Sequence, residues 1–144
     1  MVTRLIIVMF MLALASGPTW GDEKKPVKEE LKKLQGEWVM VSVEPATKKD
    51  GEQSQRVVVT GDEWKTTRTP RAFTVRVDNS KSPKHLDLVS DNKGKERTWR
   101  GIYKIEGDKL TFCRANAAGT GVQRPTEFKA GPGVELMVFK RAEK

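Results

Sequence analysis

Leu34-Gln35-Gly36-Glu37-Trp38-Val39-Met40-Val41-Ser42-Val43 decides the fold. Glycine lets the backbone bend tightly into a strand. The tryptophan two residues on can plug one end of a small barrel with a single large side chain. The run then alternates, with Trp38, Met40 and Ser42 pointing one way and Val39, Val41 and Val43 the other. Both faces are largely apolar. That suits a strand with an interior on one side and covering elements on the other, or one that borders a wide apolar lumen. Pro45 ends the run, and residues 46–55 read as a polar loop.

Working outward, the rest of the chain reads as short strands and turns. Arg56 to Thr60 and Glu63 to Thr69 flank the turn signal Gly61-Asp62. Ala72 to Val77 is the cleanest alternation, with Phe73, Val75 and Val77 facing in and Thr74 and Arg76 facing out. His85 to Val89 places Leu86 and Leu88 inward. Arg97 to Ile105 carries Trp99, Gly101, Tyr103 and Ile105 on one face, and Gly101 reads as a bend or bulge. Glu106-Gly107-Asp108-Lys109 is a tight hairpin leading into Leu110 to Arg114. Asn116 to Pro125, Gly-rich and polar, reads as the most mobile loop. Thr126 to Phe128 is a short extended piece, and Glu135 to Arg141 is the last strand. Eight strands with regular turn signals imply an all-β fold, an eight-stranded antiparallel barrel. Such a barrel either fills with side chains or holds one small ligand.

Ahead of the barrel, Arg4 precedes an unbroken apolar run from Leu5 to Ala15, with small residues at Ala13, Ala15, Ser16 and Gly17. This is the three-part pattern of a secretory signal peptide. The run is too short to span a bilayer as a helix. Residues 1–21 are therefore expected to be a signal peptide, 22–30 a charged linker and 31–144 the barrel domain. Val27, Leu31 and Leu34 lie at helical spacing behind Pro26, so a two-turn helix should close one end of the barrel, its charged face solvated. The expected location is the periplasm or the medium.

The 144 residues argue for one domain and carry a formal charge of +8, spread along the chain rather than blocked. Scattered lysines fit a solvated, exported surface. Cys113 is the single cysteine, so no internal disulfide forms and the fold must stand on core packing.

Three motifs in order are distinctive: Leu34-Gln35-Gly36-x-Trp38, Gly101-Ile102-Tyr103-x-Ile105-x-Gly107-Asp108-x-Leu110, and Arg124-Pro125-Thr126-Glu127-Phe128. Together with the export signal, they resemble the lipocalin-like domain of unknown function that is expanded in planctomycete bacteria. The resemblance covers about residues 31 to 141. It implies a lipocalin-like (calycin-type) barrel, export and no established activity, and it supplies no catalytic residue. In lipocalins the tryptophan of the first strand packs under a basic side chain of the last. Here Trp38 would meet Lys140 or Arg141, giving Gly36, Trp38 and Arg141 structural roles. Such a cation on an indole contributes about 0.5–2 kcal/mol.

Chemistry is sparse. His85 is the lone histidine and has neither triad partners nor metal-ligand spacing. Cys113 beside Phe112 reads as a buried, inert thiol. Neither Gly119-Thr120-Gly121 nor Gly131-Pro132-Gly133 opens a helix, so neither is a phosphate loop. No catalytic residue, metal or cofactor is expected. Arg68, Arg71 and Arg76 with Phe73 and Trp64 form a basic, aromatic cluster of the kind that single-stranded nucleic acid prefers, but export argues against that partner.

Two functions follow. The first is a non-enzymatic binder of a small hydrophobic or amphipathic ligand against Met40, Phe73, Val75, Leu86, Tyr103 and Phe112, with Arg76 or Arg114 at the rim for an acidic head group. The second is a filled barrel of the cell envelope whose basic surface binds an acidic polymer or another protein. If the lumen is filled by its own large side chains, binding inside the barrel fails and the second reading is favoured. Either way the chain is expected to act as a monomer without a transmembrane span once the signal is cleaved.

Overall fold

The computed structural model describes residues 24–45, 55–67 and 70–143. These form one helix, α1 (Lys24–Leu34), and eight strands. The strands are β1 (Gly36–Glu44), β2 (Arg56–Thr60), β3 (Glu63–Thr66), β4 (Arg71–Asp78), β5 (Lys84–Asn92), β6 (Lys95–Glu106), β7 (Lys109–Ala115) and β8 (Val134–Arg141). Each pairs antiparallel with its neighbour in sequence, and β8 pairs back onto β1, so the sheet closes into a barrel. Closure leaves no strand edge to protect. The signal-peptide reading lies outside the described residues. The helix expected behind Pro26 is present and begins earlier, at Lys24, so it takes in most of the stretch read as a charged linker. β3 stops at Thr66, short of the predicted Thr69, and 126–128 joins no strand.

β1 departs from simple alternation. Met40 pairs with Phe139 and Ser42 with Val138, which leaves Val41 as the extra residue of a bulge. Val41 is 43% exposed. The bulge reverses the phase of the strand beyond it. Trp38 and Met40 face the core as expected, but Val43 takes the next inward place opposite Met137, and Ser42 does not. This explains why both faces of the stretch looked apolar.

The interior is packed. Trp38, at the base, donates its indole N–H to the Leu34 carbonyl at 2.8 Å. Trp64 lies 5.8 Å from both Phe112 and Phe139, edge-on to the latter. Each fully buried apolar side chain of this size stabilises the fold by about 1.5–3 kcal/mol. Gly101 is the position where a close approach requires glycine. A Cβ there would sit 2.5 Å from Phe112 Cε2 and 2.8 Å from the Cys113 carbonyl oxygen. Pairing runs through Gly101 without a register shift, so it makes room for a ring and is not a bulge.

A second layer lies outside the barrel. Val89, Ile102 and Cys113 alternate outward yet are buried. The connection from β7 to β8, residues 116–133, straps over this face. Arg124 forms a two-pronged ion pair with Asp87 of β5 and donates to the Gly101 carbonyl at 2.7 Å. Arg100 donates to the Val122 carbonyl. The loop read as the most mobile is thus anchored, because its one arginine finds a carboxylate 37 residues away in sequence.

Candidate functional site

The two ends of the barrel differ. At the end where β1 begins, α1 lies across the opening. Leu34 is buried in the core, and Gln35 exchanges two hydrogen bonds with Gly61 of the β2–β3 turn. Glu30 is only 3% exposed. Its carboxylate accepts hydrogen bonds from Tyr103 at 3.0 Å, Lys84 at 2.7 Å and Lys33 at 3.1 Å. Burial pushes the Glu30 carboxyl up, but these three donors together outweigh it and hold it below the usual carboxylate range. Burial, and then the bond to Glu30, push the Tyr103 phenol well above its ordinary value.

Arg141 completes this end. Its guanidinium carbon stands 4.2 Å over the Trp38 ring, while its nitrogens donate to the Gln35 and Lys33 carbonyls. It therefore caps the C-terminus of α1, where unpaired carbonyls and the helix dipole favour a cation. A Cβ on Gly36, whose φ is +110°, would meet this guanidinium at 3.3 Å. A cleft of about 400 Å³ opens between Glu30, Lys33, Lys84, Ile105 and Arg141, but its cations are already committed to Glu30 and to the helix carbonyls. It clamps the helix.

The opposite end is the mouth. Five of the six residues read as a ligand wall, Met40, Val75, Leu86, Tyr103 and Phe112, are buried in the core cluster, Leu86 and Phe112 completely. The depth of the barrel is filled by these side chains. Phe73 alone of the six stays half-buried, and it packs edge-on against Trp99 with ring centres 5.5 Å apart. The pair spans from β4 to β6 across β5, where buried Leu88 lies in register with Trp99 and with Val75.

The charged residues sort differently from the sequence reading. Arg76 is on the outer face, paired with Glu96 at 3.2 Å, and offers nothing to the mouth. Arg114 does face inward, in register with Gly101, but Glu135 neutralises it through two bonds of 3.2 Å. The basic, aromatic cluster is dispersed: Trp64 is core, Arg76 points out, and Arg68 lies outside the described residues. Arg71 and Phe73 remain together at the mouth. Sequence reasoning missed Arg97, two residues before Trp99 on the same inward phase, and it missed the burial of Glu30. The Arg-x-aromatic pattern at 71–73 and again at 97–99 was the available signal.

No protein-family model, curated protein or solved structure matches this chain. The arrangement must be read on its own chemistry. Cys113 is fully buried and burial raises its thiol, which donates to the Glu127 and Lys129 carbonyls. Burial, and then the charge of Arg124, lower the His85 imidazole from its ordinary value. Among the described residues no three His, Cys, Asp or Glu side chains gather as metal ligands would. No described helix is long and apolar enough to cross a membrane.

Proposed function

We propose that this chain is an exported, lipocalin-like binding module without enzymatic activity, which takes a small hydrophobic or amphipathic molecule at the mouth of its barrel. The single observation behind this reading is the Phe73–Trp99 pair. Two large aromatics on inward positions stay half-buried, while everything beneath them is packed. Aromatic faces left partly open above a closed core are what a shallow apolar site needs. The buried, high-pKa thiol of Cys113 speaks against nucleophilic chemistry. Export rests on the signal pattern of residues 1–21.

The test is native mass spectrometry of the protein recovered from the periplasm or medium of the expressing cells. An extra mass of a few hundred daltons, lost in Phe73→Ala or Trp99→Ala, is the expected result. A clean apo mass, with no shift on adding apolar probes, overturns the reading.

A second reading, the filled barrel that binds an acidic polymer or a protein through its basic surface, draws on the packed depth of the interior. Salt separates the two. Charge-driven surface binding weakens steeply with ionic strength, while apolar binding at the mouth hardly changes.

A further inference from the structure

Most described arginines are committed. Arg56, Arg76, Arg114, Arg124 and Arg141 each lie within ion-pair distance of a carboxylate, and Arg100 donates to the Val122 carbonyl. Arg71 and Arg97 are different. Both are exposed, and neither side chain has a hydrogen bond or ion pair among the described residues. They also stand in the same sequence relation to an aromatic. Arg71 lies two residues before Phe73 on β4, and Arg97 two residues before Trp99 on β6. Strand periodicity places each on the same inward phase as its aromatic, one pleat nearer the open end. The registers fix this: Arg71 opposes Thr66 as Phe73 opposes Trp64, and Arg97 opposes Ser90 as Trp99 opposes Leu88. Glu135, the carboxylate on an inward position of β8, is already occupied by Arg114.

From this we infer that the mouth selects an anionic amphiphile: its apolar part lies on Phe73 and Trp99, and its carboxylate or other oxyanion head is held between Arg71 and Arg97 at the rim. The inference rests on the mouth-binding reading above and adds the charge of the ligand. A guanidinium offers a planar fork of donors that matches an oxyanion. Two such forks flanking an apolar platform repel a cationic head and offer a neutral hydroxyl only a weaker contact to an uncharged acceptor.

The experiment is isothermal titration of the mature protein with decanoate, decanol and decyltrimethylammonium at neutral pH, each below its aggregation limit. The Arg71→Gln/Arg97→Gln double variant is titrated alongside. Decanoate is expected to bind the native protein about tenfold more tightly than decanol, the scale of one exposed charge-assisted contact. Decyltrimethylammonium should bind more weakly than either. In the double variant decanoate should fall to the decanol affinity, with decanol itself unchanged. Both arginines are exposed, so an unchanged melting temperature shows that the fold is intact.

Equal affinity for decanoate and decanol in the native protein overturns the inference and leaves the mouth-binding reading standing. So does a decanoate preference that survives in the double variant. If none of the three probes binds, the mouth-binding reading itself falls. Binding to anionic vesicles without binding of monomeric decanoate overturns the inference in favour of a lipid surface. Salt-sensitive binding of an acidic polysaccharide alone transfers the arginines to the filled-barrel reading.

Discussion

The Tyr103 hydroxyl donates to Glu30 Oε1 at 3.0 Å, joining the inner wall of β6 to the helix that closes the barrel. The two residues are 73 positions apart in sequence. A buried phenol needs a partner, and a buried carboxylate needs several. Here one carboxylate serves Tyr103, Lys84 and Lys33 at once. Tyr103→Phe keeps the ring and removes one donor, so it should cost about 1–2 kcal/mol. Glu30→Ala strands the phenol and frees two half-exposed lysines, for about 2–3 kcal/mol. Urea unfolding of the two variants checks both values. A neutral Tyr103→Phe would mean that this bond adds nothing to the docking that Leu34, Lys84 and Arg141 already supply.

The same pair shapes the response to pH. The folded Glu30 carboxyl lies below its ordinary 4.5. The unfolded chain therefore takes up this proton first as pH falls. Stability from Glu30 is full above pH 4.5 and drains as pH drops through the folded value. Tyr103 runs the other way. Its folded phenol lies above the ordinary 10.0, so its contribution is full below pH 10.0 and is lost as pH rises beyond it. Glu30→Gln should flatten the acid limb of the stability profile and Tyr103→Phe the alkaline limb. Unfolding midpoints across pH for the three proteins are the measurement. An unchanged acid limb in Glu30→Gln would assign it to other carboxylates.

The strap predicts a change in thiol reactivity. Cys113 lies on the outer face beneath the Glu127 and Lys129 carbonyls, and the Arg124–Asp87 pair helps to pin the strap above it. Native Cys113 should alkylate slowly, because it is buried and its thiolate is disfavoured. Arg124→Ala removes two bonds to Asp87 and one to the Gly101 carbonyl. If local opening becomes easier by about 1.4 kcal/mol, alkylation should quicken about tenfold. Mass-resolved labelling with iodoacetamide reads this directly. An equal rate in both proteins would show that Arg124 does not hold the strap down.

Much of the barrel was legible because strand periodicity is local. Phe73, Val75 and Val77 alternate, as do Leu86 and Leu88, and each neighbouring run begins after a turn signal. What escaped was non-local. The bulge at Val41 adds a residue that composition does not mark, so the inward phase beyond it was misread. Glu30 lies in a run of lysines and glutamates, and nothing in that run says that Tyr103 will reach it. The strap looked loose because its anchor, Asp87, belongs to another strand. Inward positions were identifiable one by one, but whether Phe112 and Leu86 border a space or fill it depends on contacts across the barrel. The mouth was half visible. Arg71 and Phe73 stand out in the sequence, but only pairing across β5 brings Trp99, two residues on from Arg97, beside Phe73.

Gly101 offers the sharpest test of the packed interior. A Cβ there meets Phe112 Cε2 at 2.5 Å, the Cys113 carbonyl at 2.8 Å and the Leu86 carbonyl at 3.1 Å. The ring cannot swing aside freely, because Phe112 is fully buried against Trp64. Gly101→Ala should therefore cost about 2–3 kcal/mol, at the upper end for added core volume. Phe112→Leu removes the ring contact but leaves both carbonyls in place. In that background the Gly101→Ala penalty should shrink without vanishing, giving a coupling of about 1 kcal/mol in a double-mutant cycle. Gly121→Ala is the control: nothing lies within 4 Å of its added Cβ, so its effect should stay within about 0.5 kcal/mol. A Gly101→Ala protein as stable as the native one would mean that the wall between β5 and β7 yields, and that the barrel has room in its depth for a ligand after all.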